Sequence, residues 1–366
     1  MLTDRLNVVD LFSGCGGLSW GFRKAGWSHV YAVEKLLAPS RSYSANFHCP
    51  VWHGDVREFV KTLQNEGIVL PEVDAVVGGP PCQGFSPLGK MSAKAERIEH
   101  HSDLNGLWQS FAKTVELLQP SIVLSENVPQ FHQSEEFEEY KETIRGLGYD
   151  HIAEGVLLAS KFGVPQKRRR AFCLASRLGP IALPEPDPDT AIATVRRAIG
   201  KLPLVPDGKN WHIGRNPTAK SLERYAVVPP GGNRFDLMRE RPDITPRCWL
   251  EKPTGSTDVF GRLEWDQPAL TIRTEFFKPE KGCYLHPEAN RPITHREAAA
   301  LQTFPVEFEF RGSKTEVARQ IGEAVPPRLA EAIARVAITH VRDHKSVPNA
   351  KAKQNGRSRR VAKKAH

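Results

Sequence analysis

The chain of 366 residues lacks the features of a membrane or secreted protein. No apolar run approaches the ~20 residues that a membrane-spanning helix needs. The amino-terminal stretch MLTDRLNVVDLF carries acids where a secretory signal requires a basic segment followed by a long apolar one. We therefore expect a cytoplasmic protein that has no membrane partner.

Cysteine is sparse and scattered. The six cysteines form no CxxC pair and no cluster with histidine at the spacing of zinc ligands. This pattern disfavours disulfides and structural zinc, and we expect no metal in the protein. A scattered intracellular cysteine is ordinarily a small buried apolar residue, so only an unusual context singles one out. Cys82 has such a context.

The body of the chain is nearly neutral, although the whole chain carries a net charge of +9. Residues 345–366 contain eight lysines and arginines and no acid, so they hold +8 of that total. This segment has almost nothing apolar to bury, and we expect it to be disordered. It is either a solubilising tail or an arm that binds phosphate groups and loses affinity with salt.

The first half has the pattern of an α/β nucleotide-binding unit. LNVVDLF (6–12) is strand-like, SGCGG (13–17) is a glycine turn, and the next residues have helical spacing. A second apolar run, HVYAVE (29–34), ends at Glu34, where a Rossmann-like sheet places a carboxylate on ribose hydroxyls. Ser19 replaces the third glycine of the dinucleotide fingerprint. The pattern therefore favours an adenosine-containing ligand without a pyrophosphate.

Two later strands end in residues that can carry chemistry. One strand-like run (74–77) leads into GGPPCQGFS (78–86), which contains Cys82, and another (120–128) ends at Glu126. Because the carboxyl ends of parallel strands share one edge of a sheet, the thiol and the carboxylate should lie close to the glycine turn. Taken alone, Glu126 would suit a helix cap or a solvated acid better.

Two further polar features allow more than one interpretation. Asp55 can accept a hydrogen bond from an adenine amino group, or it can cap a helix that begins at Val56. In QKRRR (166–170), Arg168 and Arg170 share one face of an extended segment and can point together at one anion or carbonyl. A solvated basic surface is the alternative, but it would not need the two arginines in register.

Together these segments resemble the cytosine-C5 DNA methyltransferase family. The resemblance spans the chain from Asp10 to about Ala334 and implies a Rossmann-like, S-adenosylmethionine-dependent methyltransferase sheet with a smaller, loop-rich target-recognition domain. The matching segments, in the family's order, are DLFSGCGGLSWGF (10–22), GGPPCQGFS (78–86), ENV (126–128), QKRRR (166–170), RPITHREAAALQTFP (291–305) and QIGEAVPPRLA (320–330).

The resemblance implies a covalent mechanism on a flipped cytosine. Carbon 5 of cytosine is a poor nucleophile until another nucleophile adds at carbon 6, and a thiolate suits that addition. By resemblance Cys82 is this nucleophile, and Glu126 binds N3 and the exocyclic amine. Arg168 would hold O2 of the base, and Arg170 would support the same pocket and its carboxylate. The base must leave the duplex to reach this pocket, and no metal is required.

The cofactor implied by the resemblance is S-adenosyl-L-methionine. Glu34 would bind its ribose and Asp55 its adenine amine. Glu323 stands where the family commonly has asparagine, near the amino-acid end of the cofactor, and would attract the ammonium but repel the carboxylate. The other implied contacts are Phe12, Gly14, Gly16, Gly17, Pro80 and Leu107.

The resemblance also implies a division of the chain. The expected parts are a catalytic and cofactor-binding domain (1–182, completed by 320–344), a target-recognition domain (183–290), a bracing or hinge segment (291–319) and a disordered basic tail (345–366). Proline and glycine are dense from about Leu183, which makes long helices improbable there. The candidate DNA-contacting residues are Gln83, Ser86, Asn233, Arg234, Arg247, Trp249, Arg262 and Arg273.

Two helices are expected near the end of the chain. Thr294-x-x-Glu297 is a capping arrangement and predicts a helix that braces the second domain. The apolar spacing of Leu329, Ile333 and Ala337 predicts a helix that packs back on the first domain.

The main functional prediction is a monomeric DNA cytosine methyltransferase of restriction-modification type that acts on double-stranded DNA. A restriction-modification setting would pair it with a companion endonuclease acting on the same site, but the sequence does not decide whether one exists. One alternative is a transfer-RNA cytosine methyltransferase, although the long region 183–290 suits base reading in DNA. A catalytically silent DNA-binding relative is a second, and the intact Cys82 and Glu126 argue against it. A thiol hydrolase is the weakest, because the matching segments around the thiol offer no histidine as its base.

Overall fold

The computed structural model describes residues 5–81, 106–251, 254 and 256–346. Its central sheet has seven strands in the order β3-β2-β1-β4-β5-β8-β6. Two two-stranded pairings, β10 with β7 and β11 with β9, lie outside this sheet. The strands are β1 (Asn7–Leu11), β2 (Ser28–Glu34), β3 (Val51–His53), β4 (Ala75–Gly78), β5 (Ile122–Asn127), β6 (His151–Leu158), β7 (Gln166–Lys167), β8 (Arg169–Ser176), β9 (Gly261–Arg262), β10 (Ala269–Leu270) and β11 (Cys283–Leu285).

Helices cover both faces of the sheet, which is why strands β1, β4 and β5 are almost continuously buried. In the described ranges no helix is long and apolar enough to cross a membrane. The α-helices are α1 (Gly17–Ala25), α2 (Leu37–Asn46), α3 (Val56–Gln64), α4 (Leu107–Leu118), α5 (Glu135–Gly146), α6 (Val195–Ile199), α7 (Ala219–Val227), α8 (Arg234–Glu240), α9 (Arg247–Leu250), α10 (His295–Leu301), α11 (Lys314–Glu323) and α12 (Pro327–Ser346).

The sheet topology confirms the expected Rossmann-like α/β fold. Strands β3, β2, β1, β4 and β5 are parallel, whereas β8 runs antiparallel to both β5 and β6. The strand order reverses between β1 and β4, so the crevice beyond their carboxyl ends is the expected ligand site. Gly78 allows β4 to lie close to β1, because a Cβ at this position would lie 2.2 Å from the carbonyl oxygen of Leu11.

The last helix packs back on the first, as predicted. Gly21 in α1 lets α12 approach closely, since a Cβ at that position would lie 2.4 Å from the Cβ of Ala330. Trp27 Nε1 donates a hydrogen bond of 3.1 Å to the carbonyl oxygen of Ala334. Residues 327–346 therefore complete the layer of helices on the first half of the chain.

The brace helix α10 begins as its capping pair predicts. Thr294 Oγ1 accepts from the backbone of Glu297 at 3.1 Å, and Glu297 Oε2 accepts from the backbone of Thr294 at 2.7 Å. Arg291 donates to both oxygens of the same buried carboxylate, each at 2.8 Å. One carboxylate thus fixes both the start of the helix and the segment before it.

Two different cores hold the second half of the chain. Residues 263–321 share a core with residues of the first half, among them Trp20, Tyr43 and Phe47. A separate small core lies within 225–285 and consists of Tyr225, Val228, Leu237, Ile244, Phe260 and Leu285. The division at residues 182, 290 and 319 stays a prediction, and the independently packed part is smaller than 183–290.

Candidate active site

The glycine turn after β1 meets the end of β2 at the carboxyl edge of the sheet. Gly14 N donates to Glu34 Oε2 at 2.8 Å, and Leu36 N donates to Glu34 Oε1 at 2.7 Å. Burial raises the pKa of Glu34, and these two backbone donors oppose that shift. Each carboxylate oxygen keeps a lone pair, so Glu34 can still accept bonds from two hydroxyl groups.

The turn itself leaves space for a ligand because it carries so few side-chain atoms. Gly16 has φ +99°, and a Cβ there would lie 2.4 Å from the ring of Phe47. A Cβ at Gly17 would lie 2.5 Å from the carbonyl oxygen of Val325, whereas one at Gly14 would have no neighbour within 4 Å. Half-buried Phe12, with φ 57°, starts the turn. The contacts of this glycine cradle with the methionine and adenosine parts of S-adenosylmethionine stay a prediction.

Asp55 is the cap of α3. Its Oδ1 accepts from the backbone of Arg57 at 2.9 Å, and the Arg57 guanidinium contacts both carboxylate oxygens. These bonds hold the pKa of Asp55 well below its usual range, Arg57 being the main cause. The capping interpretation is confirmed, and the adenine contact stays a prediction. Pro80 and Leu107, the remaining predicted cofactor contacts, are both buried.

An ion pair marks the end of β5. Arg170 Nε lies 2.9 Å from Glu126 Oε1, and the two side chains are only 17% and 13% exposed. Burial raises the pKa of Glu126, while Arg170 and then Arg168 oppose the rise. Glu126 Oε2 also lies against the end of β4, because a Cβ at Gly79 would be 3.0 Å from it.

The main chain just before Cys82 is fixed to the same place. Asn127 Nδ2 donates a buried hydrogen bond of 3.0 Å to the carbonyl oxygen of Pro80. The described segment ends at Pro81, and the predicted residues Cys82, Gln83 and Ser86 lie outside the described residues. The carboxylate of Glu126 is therefore next to the strand end from which Cys82 follows.

Arg168 and Arg170 do not share their main partners. The strand is interrupted at Arg168, whose side chain is fully buried. Its two terminal nitrogens donate to main-chain carbonyl oxygens of Ile272, Gly322 and Glu323, at 3.1, 2.9 and 3.2 Å. The Nε atom has no hydrogen-bond partner within the described ranges. Of the five N–H donors of the guanidinium, the Nε hydrogen and one Nη1 hydrogen remain for the predicted bond to O2 of a base. Arg170 is the arginine beside the carboxylate.

Two of the predicted base readers are buried, which corrects the sequence interpretation. Arg234 is 7% exposed, and its Nη2 donates to the carbonyl oxygen of Thr254 at 3.1 Å. Arg262 is 4% exposed, and all three of its guanidinium nitrogens donate hydrogen bonds within residues 225–290. Its acceptors are the carbonyl oxygens of Tyr225, Val228, His286 and Ala289 and the side chain of Asn290. Arg262 stabilises the packing of residues 225–290, and its donors are all used there and are not presented to DNA.

The other two arginines reach the surface. The side chain of Arg247 is 91% exposed and pairs with Glu251 one helical turn later, at 2.6 Å. Arg273 is 48% exposed, and it is held by Asp258 at 2.6 Å and by the carbonyl oxygen of Lys281 at 3.0 Å. Arg247 is thus the most accessible of the four arginines.

Asn233 and Trp249 have structural partners of their own. Asn233 Oδ1 accepts from the backbone of Phe235 at 2.9 Å and, with Asp236, forms the capping box of α8. The ring of Trp249 packs edge-on against Phe260, with 5.3 Å between centroids.

A buried carboxylate beneath the turn escaped the sequence interpretation. Ser19 Oγ lies 2.6 Å from Asp10 Oδ2 and 2.8 Å from the hydroxyl of Tyr43. Burial is the main reason that the pKa of Asp10 rises to about 7, and nearby Glu34 adds to the rise. An acid in the middle of an apolar strand was the available signal. Its contacts tie β1, α1 and α2 together under the cradle.

Glu323 has a cationic partner in its own helix. Arg319 Nε lies 2.8 Å from Glu323 Oε1 in the last turn of α11. Glu323 raises the pKa of Glu34 and Arg319 lowers it, so both charges act on the carboxylate at the end of β2, and the cofactor contact of Glu323 stays a prediction. In the described ranges no group of three or more His, Cys, Asp or Glu side chains could hold a metal ion.

The sheet order defines a Rossmann-like fold, and the glycine turn and Glu34 lie at the edge of its sheet where ligands bind in such folds. The model of the C-5 cytosine-specific DNA methylase family matches residues 6–339, and the chain belongs to this family. It is therefore an S-adenosylmethionine-dependent DNA cytosine-5 methyltransferase.

Relatives extend over nearly the whole chain. The type II methyltransferase M1.HphI of Haemophilus parahaemolyticus is 35% identical over 91% of this chain and 87% of its own length. The type II methylase M.HgiDII of Herpetosiphon aurantiacus is 31% identical over 90% of this chain and 94% of its own. A solved candidate DNA modification methyltransferase from an Escherichia coli prophage superposes with a TM-score of 0.70 at 27% identity, covering 92% of this chain and 99% of that one.

Proposed function

We propose that the chain methylates carbon 5 of a cytosine that is flipped out of a specific duplex sequence, through a covalent bond between Cys82 Sγ and carbon 6. The observation that carries the proposal is the Glu126–Arg170 ion pair of 2.9 Å at the end of β5. Asn127 binds the carbonyl oxygen of Pro80, so the pair stands beside the strand end from which Cys82 follows.

The proposed role of the ion pair follows from the electronics of the ring. Addition of a thiolate at carbon 6 places negative charge on the ring, which a proton donor at N3 stabilises. A carboxylic acid can donate to N3 and accept from the exocyclic amine at once. The raised pKa of Glu126 favours this protonated form. Arg170, beside Glu126, supplies positive charge to the same pocket.

The cofactor supplies, when bound, an electrophilic methyl group on a sulfonium. The chain's own residues bind it through the cradle at Gly14 and Gly16 and through the acceptor oxygens of Glu34. In the reaction the Sγ–C6 bond forms, and carbon 5 gains the methyl group as the bond between that methyl and the sulfonium sulfur breaks, which leaves S-adenosylhomocysteine. Carbon 5 then loses its proton to a base, and the Sγ–C6 bond breaks to restore the thiolate.

Methyl transfer can be tested with tritiated S-adenosylmethionine and either duplex DNA or transfer RNA. We expect label only in DNA, and sequencing of bisulfite-treated plasmid from expressing cells will identify the methylated site. Label that appears only in transfer RNA would overturn the proposal.

The covalent step can be tested with duplex DNA that carries 5-fluorocytosine at the methylated position. The fluorine cannot leave as a proton does, so the adduct accumulates and migrates more slowly on a denaturing gel. We expect an adduct with the wild type and none with Cys82→Ser. A Cys82→Ser variant that methylates at near the wild-type rate would show that another residue is the nucleophile.

We also propose a type II restriction-modification setting, with a companion endonuclease that cuts the same site in the cytoplasm. The type II names of the relatives support this setting. Base reading is assigned to the module around residues 219–262, where Arg247 offers the most exposed arginine side chain. Residues 347–366 lie outside the described residues, and their binding to phosphate groups can be tested by truncation at low salt.

A further inference from the structure

Arg168 lies where three distant parts of the chain meet. Its guanidinium joins the carbonyl oxygen of Ile272, 104 residues away, to those of Gly322 and Glu323, more than 150 residues away. The side chain is fully buried, so water does not compete for these bonds. A planar guanidinium with donors in a fixed fork can span such carbonyls, whereas an ammonium group cannot.

One side of this junction is the cofactor side. Gly322 and Glu323 end α11, and the following residues turn towards the glycine cradle. The carbonyl oxygen of Val325 would lie only 2.5 Å from a Cβ at Gly17. Glu323 also acts electrostatically on Glu34. A shift of this segment therefore moves a wall of the cofactor site.

The other side of the junction leads to the recognition module. Ile272 follows β10, and the next residue, Arg273, binds Asp258 in the segment just before β9. The contact across the junction is tight, because a Cβ at Gly322 would lie 2.4 Å from the backbone nitrogen of Thr274. Residues 272–274 therefore connect the cofactor side directly to the surface on which DNA would bind.

Two buried glutamines make a second hydrogen-bonded connection between the segment at Ile272 and helix α11. Gln166 accepts from the backbone of Ile272 at 2.8 Å and donates to Gln302 Oε1 at 2.8 Å. Gln302 in turn donates to the carbonyl oxygen of Ile321 in α11. All three polar side chains, Arg168, Gln166 and Gln302, are fully buried. Buried hydrogen bonds of this kind hold the segments that they join in one arrangement.

We propose that Arg168 is a positioning residue that couples the cofactor site to the DNA-binding surface, so that each ligand strengthens the binding of the other. Cofactor seated against residues 322–325 fixes the carbonyls that Arg168 binds, and Arg168 fixes Ile272 and the recognition module behind it. The proposal rests on the proposed function only for the identity of the two ligands.

The test measures the coupling directly. Calorimetry gives the Kd of S-adenosylhomocysteine for the full chain, alone and with a saturating duplex that contains the methylated site. The ratio of the two values is the coupling factor, and the reverse titration must give the same ratio. For the wild type we expect a factor in the usual range of about 5 to 150. For Arg168→Lys we expect a factor near 1, with the Kd for S-adenosylhomocysteine alone changed by less than about threefold.

Two further variants separate coupling from folding. Gly322→Ala presses on the backbone of Thr274 without removing a side chain, and it too should bring the factor close to 1; it decides the matter if Arg168→Lys does not fold. Arg262→Lys is the matched control, because this buried arginine binds acceptors within residues 225–290 only and none on the cofactor side. It should keep the wild-type factor.

The proposal is overturned if the wild type shows no coupling, if Arg168→Lys and Gly322→Ala keep the wild-type factor, or if Arg262→Lys loses it equally. Failure of the proposed function has a different signature, since the wild type would then not methylate DNA. Failure of the coupling proposal leaves wild-type methylation intact.

Discussion

Arg170 Nε lies 2.9 Å from Glu126 Oε1, and this pair joins β8 to β5 at the carboxyl edge of the sheet. Both residues lie at strand ends that pair antiparallel, so the backbone fixes their separation. Burial alone would raise the pKa of Glu126 further, and Arg170 is the first of the charges that limit the rise. The ion pair therefore limits how far burial raises the pKa of the carboxyl group that the proposed mechanism uses.

Arg170→Gln should lower kcat/KM by about 100-fold or more, because a charged donor at a developing negative charge is lost. It should also raise the pKa of Glu126. If protonated Glu126 is the active form, activity falls as pH rises through that pKa, so the alkaline limb of the pH–rate profile should move to higher pH. Steady-state kinetics at several pH values measures both effects.

Arg169→Gln is the control for that prediction, because Arg169 is the exposed neighbour on the same strand. It should leave the profile unchanged. An equal loss of activity in both variants, or an alkaline limb that stays in place in Arg170→Gln, would contradict the assigned role.

Gly16→Ala should weaken S-adenosylhomocysteine binding and destabilise the fold by about 2–4 kcal/mol. The new Cβ needs a left-handed backbone, which costs about 1–2 kcal/mol, and it also meets the ring of Phe47. Gly14→Ala is the matched control, since it has a positive φ but open space around the Cβ, and about 1 kcal/mol is expected. Urea denaturation compares them, and equal losses would show that the contact with Phe47 is unimportant.

Arg262→Met should lower the stability of the fold, whereas Arg247→Ala should change the sequence preference of methylation. Loss of Arg262 leaves several buried acceptors without a donor and should cost about 3 kcal/mol or more of unfolding free energy.

Loss of exposed Arg247 should change stability by less than about 0.5 kcal/mol. Arg247→Ala should instead relax the sequence preference of methylation, measured on a panel of single-base site variants. Unchanged preference would remove Arg247 from the base-reading set.

His29→Phe should reduce the acid sensitivity of the fold. Burial lowers the pKa of His29 to about 3, and its Nε2 has no hydrogen-bond partner in the described part of the chain. Below about pH 6.5 this histidine therefore binds a proton in the unfolded chain but not in the folded chain. Its contribution to the free energy of unfolding is complete above this pH and is lost as the pH drops towards 3. The slope from one such group is about 1.4 kcal/mol per pH unit.

The variant keeps the ring that packs 5.0 Å from Phe47 but removes the titrating nitrogen. The unfolding free energy of the variant minus that of the wild type, measured at pH 6.5, 5.5 and 4.5, should therefore increase on acidification by up to about 1.4 kcal/mol per pH unit. Parallel curves would contradict the prediction. His48→Phe, at an exposed position, should leave the wild-type slope unchanged.

Local pattern was sufficient for much of the fold. The runs that end at Leu11, Glu34 and Asn127 are strands, because apolar β-branched runs between turn residues specify buried strands without help from distant residues. Thr294 and Glu297 likewise fix the start of α10 from four residues of sequence. The capping role of Asp55 was equally local, and it was the alternative that sequence could not rank above ligand binding.

The sequence by itself determined where the first strands lie along the chain, that a glycine turn follows β1 and Glu34 ends β2, and that Cys82 follows β4 by a few residues. Tertiary structure alone decided which arginine does what. Arg168, Arg170 and Arg262 look alike in sequence, but the partners named here are carbonyls and carboxylates 24 to 155 residues away. A long cationic side chain follows whatever buried acceptors the packing brings near it, and no local pattern encodes those acceptors.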